Sequence, residues 1–390
     1  MPIINRIAEF EDQMKAWRHD IHAHPEIAFE EERTADVIAR ELDEFGIEYH
    51  RGLGKTGVVG TLKNGDGPAI GLRADMDALP IHEENQFDHR SRHDGKMHAC
   101  GHDGHTSMLL GAAKYLAETK RFRGTVHFIF QPAEEGEGGA RVMIEDGLFE
   151  MFPCEAVYAV HNMPGKEVGS FALRPGPMMA AYDSFEIRVQ GRGSHAAMPH
   201  KGVDPIVAGA HIVTALQSIA SRNLDPIESA VVSVTQFHGG DTNNVIPDSV
   251  FLEGTTRSFK PEIRDWLEPT MRRIIDGVAD AFGVECSFTY QRRYPPTINH
   301  ETETTIAAGI AADVAGSANV DIDTAPVMGA EDFAFMLEQV PGCYAFIGNG
   351  AGEGVCMVHN PNYDFNDDIL TVGATYFSRL VETVLPMNAD

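Results

Sequence analysis

The segment TVHFIFQPAEEGEGG, residues 125–139, is the most informative part of this 390-residue sequence. Its apolar run at 125–130 has the length of a buried β-strand, and Gln131-Pro132 ends the run. An Ala/Leu-rich helical pattern at 106–116 precedes it, and another short apolar strand at 69–74 precedes that helix. This alternation of strands and helices predicts an α/β domain with a mostly parallel sheet.

The middle of the chain has a different pattern, with strands of alternating polarity and two long amphipathic helices. The elements follow the order strand, helix, strand, strand, helix, strand, at residues 184–189, 204–222, 230–237, 250–257, 261–282 and 285–291. This order is that of the ferredoxin-like β-α-β-β-α-β unit, whose sheet has one face covered by helices. We therefore predict two domains: an α/β domain from residues 1–182 and 296–390, and an inserted ferredoxin-like domain at residues 183–295.

The composition excludes several classes of function. The chain has 31 Lys and Arg against 58 Asp and Glu, a formal charge of −27, which disfavours binding to nucleic acid or anionic membranes. No apolar run is long enough to span a bilayer, and no secretory signal is evident at the N-terminus. Five scattered cysteines favour a reducing cytoplasm over a disulfide framework. The acidic excess itself is explained by solubility or by adaptation to salt.

Metal-capable side chains follow the predicted strands. The segment MHACGHDGH (97–105) places a Cys and a His two residues apart, and Glu134-Glu135 follows the strand at 125–130. His161 and His359 lie in nearly matching contexts, VHNMP and VHNP, and Asp75-Met-Asp77 follows the strand at 69–74. One of two adjacent carboxylates can bind a metal while the other accepts a proton from water, and a nearby Asp can orient a ligating His. Each feature also has an ordinary structural interpretation: a buried Cys, solvated acids, or structural histidines.

Together these segments resemble the M20 family of metallopeptidases and amidohydrolases. The closest branch includes hippurate hydrolases, N-acyl-amino-acid amidohydrolases (aminoacylases) and plant auxin-conjugate hydrolases. The matching stretches occur in order along almost the whole chain: WRHDIHAHPEIAFEE (17–31), GLRADMDALPI (71–81), MHACGHDGHTSMLLGAA (97–113), FIFQPAEEGEGGA (128–140), GRGSHAAMPHKGVDPI (191–206), TNNVIPD (242–248), MGAEDF (328–333) and MVHNPNYDFND (357–367).

The resemblance implies a site for two divalent metal ions per chain, with zinc, manganese, nickel and cobalt all open. The ligands it implies are Cys100, His102, Glu135, His161 and His359. Glu134 would be the general base that takes a proton from a metal-bound water, so that metal-bound hydroxide attacks the substrate, and Asp77 would support the ligands from behind.

The resemblance also implies roles for the inserted domain, as a lid and as the interface of a homodimer or higher homo-oligomer. His195 would stabilise the oxyanion of the tetrahedral intermediate, reaching the substrate from the partner subunit. Asn244 and Arg257 would bind the carboxylate of the amino-acid half, although Arg257 is also explained as a surface charge. Gly329 would let backbone N–H groups approach the substrate.

The function expected from these features is metal-dependent hydrolysis of an N-acyl-amino acid, such as hippurate or an N-acetyl-amino acid, to a carboxylate and a free amino acid. A dipeptidase or carboxypeptidase using the same two-metal site is the main alternative. A non-catalytic acidic metal-binding protein is a third hypothesis, which the position of Glu134 disfavours. A zinc nucleobase deaminase is disfavoured because its P-C-x-x-C segment is absent.

Overall fold

The computed structural model describes residues 2–350 and 356–387 and divides them into two compact units. The first unit contains the chain up to residue 178, residues 298–325 and the chain from residue 332 onward; the second contains residues 179–297 and 326–331.

The short segment 326–331 lies outside the inserted domain predicted from the sequence, yet the structure groups it with the second unit. The backbone N–H of Ala180 lies 3.1 Å from the carbonyl oxygen of Val327 and 2.9 Å from that of Gly329. These contacts attach the segment to the start of the second unit. No local sequence pattern predicts them.

The strands of the described residues are β1 (Glu48–Leu53), β2 (Gly57–Asn64), β3 (Ala69–Asp75), β4 (Gly124–Gln131), β5 (Ala156–Pro164), β6 (Phe171–Ala172), β7 (Gly176–Met179), β8 (Ala181–Gln190), β9 (Ser194–His195), β10 (Ala230–His238), β11 (Val245–Ile246), β12 (Ser249–Ser258), β13 (Glu285–Tyr294), β14 (Thr297–Asn299), β15 (Val320–Asp321) and β16 (Gly342–Gly350).

The α-helices are α1 (Asn5–Ala8), α2 (Glu11–Ala23), α3 (Glu32–Glu44), α4 (His102–Thr119), α5 (Gly139–Glu145), α6 (Leu148–Met151), α7 (Pro205–Leu216), α8 (Pro261–Phe282), α9 (Glu301–Ala315), α10 (Ala334–Leu337) and α11 (Leu370–Val384). Within the described residues, none of them has both the length and the apolar composition needed to cross a membrane.

The first unit is built on an eight-stranded sheet with the strand order β1-β2-β4-β3-β5-β16-β6-β15. Its central strands β4, β3, β5 and β16 run parallel to one another, and β1 and β2 form an antiparallel edge. The predicted α/β class is therefore confirmed. Because the four central strands are parallel, their carboxyl ends lie along the same edge of the sheet, which is where ligands bind in open α/β folds.

Helix α4 follows directly from the segment that contains Cys100 and packs against α2, α11 and β3. Almost every side chain from His102 to Leu116 is buried, which is the pattern of a helix covered on all sides. The helix therefore holds its first residues rigidly against the carboxyl end of β3.

The second unit contains a four-stranded sheet in the order β10-β12-β8-β13, with antiparallel pairing throughout. Along β8, Phe185, Ile187 and Val189 are buried while their neighbours in the strand are less so, and they pack in one core with α7 and α8. The Asp204 carboxylate accepts hydrogen bonds from backbone N–H groups of the first turn of α7 and so caps the helix. The ferredoxin-like order predicted from the sequence is confirmed.

Candidate metal centre

Residues at the carboxyl ends of neighbouring strands meet in the first unit. Asp75 ends β3 and is in register with Gln131 at the end of β4, so the loop containing Glu134-Glu135 begins beside Asp75. His161 lies near the end of β5, the neighbour of β3 on the other side. The order of the sheet therefore brings together side chains that are distant in the sequence.

The turn that enters α4 points Cys100 and His102 in the same direction. Gly101, between them, has φ of 105°, and a Cβ there would lie 2.2 Å from Oδ1 of Asn162. Only glycine fits this turn, since it tolerates positive φ and has no side chain to clash. The Sγ atom of Cys100 lies 3.3 Å from Nε2 of His161, and the ligand atoms of Cys100, His102 and His161 all lie within 4.8 Å of one another.

A second group of donors shares the same cysteine. The Oε1 atom of Glu135 lies 3.2 Å from Nε2 of His359 and 3.9 Å from Nε2 of His102. Cys100, Glu135 and His359 form a group of ligand atoms within 4.8 Å of one another. His359 has a left-handed φ of 64°, and its backbone N–H donates to the carbonyl of Ala99, which attaches it to the Cys100 turn.

The histidine tautomers suit metal binding. The Nδ1–H of His102 lies 2.9 Å from the carbonyl oxygen and 3.1 Å from the Oδ1 atom of Asp77, and the Nδ1–H of His161 donates to the carbonyl of Asn162. The Nε2 atom of His161 is left facing Cys100, and that of His102 lies 3.9 Å from Oε1 of Glu135. A hydrogen bond from Nδ1–H that leaves Nε2 available is how proteins orient a ligating imidazole.

A buried atom without a partner gives an independent test of fit. The Nε2 atom of His102 is buried and has no hydrogen-bond partner among the described residues. Buried polar atoms are almost always satisfied, so this nitrogen requires a partner that the chain itself does not supply, such as a metal ion. The donor set of thiol, imidazole and carboxylate matches the ligands of a divalent transition-metal ion.

The electrostatics of the cluster also fit a cation. Burial and the charges of Glu135, Glu134 and Asp75 hold the pKa of the Cys100 thiol well above its usual value. Burial favours the neutral form of His102, but Asp75 and Asp77 outweigh burial and raise its pKa to about 10. The carboxylates thus stabilise positive charge at this point, and a divalent ion there would favour the thiolate and replace the His102 proton.

Glu134 is buried beside these donors. One of its carboxylate oxygens lies within 4.8 Å of ligand atoms of both His102 and Glu135, and its Oε1 accepts a long hydrogen bond of 3.4 Å from the backbone N–H of Asp332. Asp77, besides its contact with His102, accepts a hydrogen bond of 2.9 Å from the backbone N–H of Glu135. Asp77 therefore supports two of the candidate ligands.

Residues not identified from the sequence hold these strand ends together. The buried Arg73 donates to Gln131, Asp75 and Asp332 at 2.8, 2.7 and 3.0 Å. His105 uses both ring nitrogens, one with Asp75 Oδ1 at 2.5 Å and one with the Asn162 side chain at 2.7 Å, so it is not free to bind a metal. A signal for Arg73 was present in the sequence, since a charged residue inside an apolar strand needs buried partners.

The second unit contains the other predicted site residues. His195 in β9 pairs with Val245 in β11, and both His195 and Asn244 line a cavity of about 590 Å³ within this unit. The Nδ1 atom of His195 accepts a hydrogen bond of 3.0 Å from the backbone N–H of Ala197, which leaves its Nε2–H as a donor.

Arg257 and Gly329 lie elsewhere in the second unit. The guanidinium of Arg257 stacks 4.3 Å from the centre of the Tyr182 ring, and burial lowers its pKa. It is therefore half-buried against an aromatic ring, and not a solvated surface charge. A Cβ at Gly329 would lie 3.2 Å from the Met179 side chain, a tight contact with a flexible group.

Two known proteins are similar in sequence to this chain over almost its whole length. The chain is 43% identical over 381 residues to a hippurate hydrolase of Campylobacter jejuni, covering 97% of this chain and 98% of that protein. It is 40% identical over 374 residues to an N-acetyl-L-cysteine deacetylase of Bacillus subtilis, covering 95% and 88%.

Among solved structures, the YxeP protein of Bacillus subtilis is described as a dinuclear metal binding peptidase from the M20 family. It superimposes with a TM-score of 0.84 at 36% identity and covers 98% of this chain and 100% of that one. The model of peptidase family M20/M25/M40 matches residues 71–383, which span nearly all of the segments quoted above. The chain therefore belongs to the M20/M25/M40 family of metal-dependent hydrolases that act on amides.

Proposed function

We propose that this protein hydrolyses N-acyl-amino acids to a carboxylate and a free amino acid. The observation that carries the proposal is the buried Glu134 carboxylate beside two overlapping groups of metal donors that share Cys100. The similarity to a hippurate hydrolase and an N-acetyl-L-cysteine deacetylase supports an acyl-amino acid as the substrate class.

The metal ligands in this proposal share one property, which is a donor atom facing the Cys100 thiol or its neighbours: Cys100, His102, Glu135, His161 and His359. Two divalent ions bound there would supply Lewis-acid activation of a water molecule and of the substrate carbonyl. The choice among zinc, manganese, nickel and cobalt is not fixed by this donor set.

Glu134 provides proton transfer in this scheme. It is not needed as a ligand, because Glu135 next to it faces the donors. It is buried, and one of its carboxylate oxygens lies within 4.8 Å of ligand atoms of His102 and Glu135. Its carboxylate takes a proton from the attacking water and then delivers that proton to the nitrogen of the leaving amino acid.

The second unit provides substrate contacts in the same proposal. His195 donates its Nε2–H to the developing oxyanion, and Asn244 and Arg257 bind the carboxylate of the amino acid. Gly329 lets the substrate approach backbone N–H groups. The second unit also serves as a lid and as the dimer interface. A sedimenting species of twice the chain mass is expected. The odd number of cysteines, five, and their wide spacing along the sequence support a cytoplasmic location.

A panel of substrates tests this function. The purified protein, supplied with zinc or manganese, is assayed for release of free amine from hippurate, N-acetyl-methionine and an unblocked dipeptide. We expect the two acyl-amino acids to be hydrolysed at least about tenfold faster in kcat/KM than the dipeptide, a difference of about 1.4 kcal/mol in transition-state binding. Faster cleavage of the dipeptide would favour the dipeptidase alternative, and bound metal without turnover would favour the non-catalytic one.

A further inference from the structure

The loop that contains Glu134 begins with a disfavoured backbone conformation. Ala133 has a φ of 53°, in the left-handed region that side-chain-bearing residues rarely adopt, and its carbonyl accepts a hydrogen bond of 2.9 Å from Gly139 N–H. Residues in such conformations persist only where their surroundings fix them, and they concentrate at functional sites. Because Ala133 immediately precedes Glu134, its conformation determines where the Glu134 side chain points.

A carboxylate from the N-terminal part of the chain fixes this residue. The Oε1 atom of Glu31 accepts hydrogen bonds from the backbone N–H of Ala133 at 2.9 Å and of Phe29 at 3.0 Å. Its Oε2 atom accepts a hydrogen bond of 2.6 Å from the hydroxyl of Thr56. Glu31 is fully buried, and Phe29 is itself left-handed, with φ of 62°. The Glu31 side chain thus holds two residues with disfavoured backbone conformations, Phe29 and Ala133, by hydrogen bonds to their N–H groups.

Within the part of the chain that the structure describes, Glu31 has no cationic side chain as an ion-pair partner. Burial raises its pKa, and the charge of Asp77 adds to this, so that its pKa is raised to about 7. Burying a carboxyl group beside another carboxylate is costly, so overall stability is a poor reason for a glutamate at this position.

Two other carboxylates grip the same loop and the start of α5 from different segments. Asp77 accepts from the backbone N–H of Glu135 in the loop, and Asp332 accepts from that of Ala140 in the first turn of α5, each at 2.9 Å. Glu31 differs from both because it holds the residue just before Glu134. The anchor on Glu135 is separate, so losing Glu31 would leave the candidate metal donors in place.

We propose that Glu31 is a positioning residue for catalysis: by accepting the Ala133 N–H it holds the left-handed backbone that points Glu134 at its proton donor. This inference rests on the proposed function, in which Glu134 is the general base. It predicts that loss of Glu31 lowers turnover without changing substrate affinity or metal content.

The test compares Glu31→Ala and Glu31→Gln with the control Glu41→Ala. Glu41 is a buried carboxylate in α3 whose side chain accepts from Arg40. We expect Glu31→Ala to lower kcat about 10- to 100-fold, since a misplacement of about 1 Å can cost 10²-fold, with KM and bound metal near wild type. Glu31→Gln should retain most activity, because its amide oxygen accepts from Ala133 and its NH₂ donates to Thr56. Glu41→Ala should retain wild-type kcat.

A rescue experiment separates positioning from general structural damage. Glycine adopts positive φ without strain, so Ala133→Gly should restore part of the kcat lost in Glu31→Ala. If Glu31→Ala does not fold, Glu31→Asp takes its place in the experiment. The aspartate side chain is one methylene shorter, so its carboxylate oxygens lie farther from the Ala133 N–H. A wild-type kcat in the Glu31 variant would overturn the role of Glu31. So would an equal loss of kcat in Glu31→Ala alone and in Glu31→Ala combined with Ala133→Gly. An inactive wild type on every acyl-amino acid would overturn the proposed function as well.

Discussion

Replacing Glu134 with Gln is expected to lower kcat about 10³-fold while the metal content and the fold stay unchanged. Glutamine has nearly the same shape as glutamate, but its neutral amide does not accept a proton from water at neutral pH. Loss of one general base typically costs about 10²–10⁴-fold. The donors that face Cys100 do not depend on Glu134, so elemental analysis should find the same metal content as in the wild type.

The matched control for this experiment is Glu137→Gln. Glu137 lies in the same loop but is exposed, so the same change of charge there should leave kcat within about twofold of wild type. Full activity in Glu134→Gln would remove Glu134 from the mechanism. Loss of metal in that variant would instead identify Glu134 as a ligand.

Replacing Cys100 with Ala is expected to have a comparable effect for a different reason, the loss of bound metal. The thiol belongs to both groups of candidate ligand atoms, one with His102 and His161 and the other with Glu135 and His359. Loss of a residue that only supports a ligand costs about 10–100-fold in metal affinity or activity, so loss of a shared ligand should cost more. Metal retained after dialysis, measured per chain together with kcat, gives the result.

Cys343→Ala is the control for this prediction. Cys343 is also a fully buried cysteine, but it lies in β16, and it belongs to none of the donor groups formed by the described residues. This variant should keep its metal and its activity. Retention of a full metal complement in Cys100→Ala would contradict the assignment of this thiol as a ligand.

The fold could be predicted wherever apolar periodicity was strong. The buried strands β3 and β4 and the alternating strand β8 were all evident, because each presents a continuous or alternating apolar pattern. The hairpin of β1 and β2 was not predicted. Strand β1, EYHRGL, is exposed along almost its whole length and has no apolar face, so its pairing with β2 is what makes it a strand.

The residues of the site likewise divide into those that a local sequence pattern identifies and those that depend on distant contacts. Side chains that act through their own chemistry, such as Cys100 and Glu135, have a recognisable local context. For side chains that act through distant contacts, the local sequence shows at most that a buried partner is needed, as for Arg73, and does not identify that partner. Glu31 lies 102 residues from Ala133, and Arg73 lies 259 residues from Asp332. Their function depends on the order of strands in the sheet and on loop conformation, which a local motif does not encode.

The most direct test of metal-dependent hydrolysis is a metal titration of the metal-depleted protein. Zinc or manganese is added in steps, and hydrolysis of an acyl-amino acid such as hippurate is followed against the number of ions bound per chain. We expect no turnover without metal and a rise to full activity at about two ions per chain. Turnover that is independent of added metal, or two ions bound with no hydrolysis of any acyl-amino acid, would contradict the proposed function.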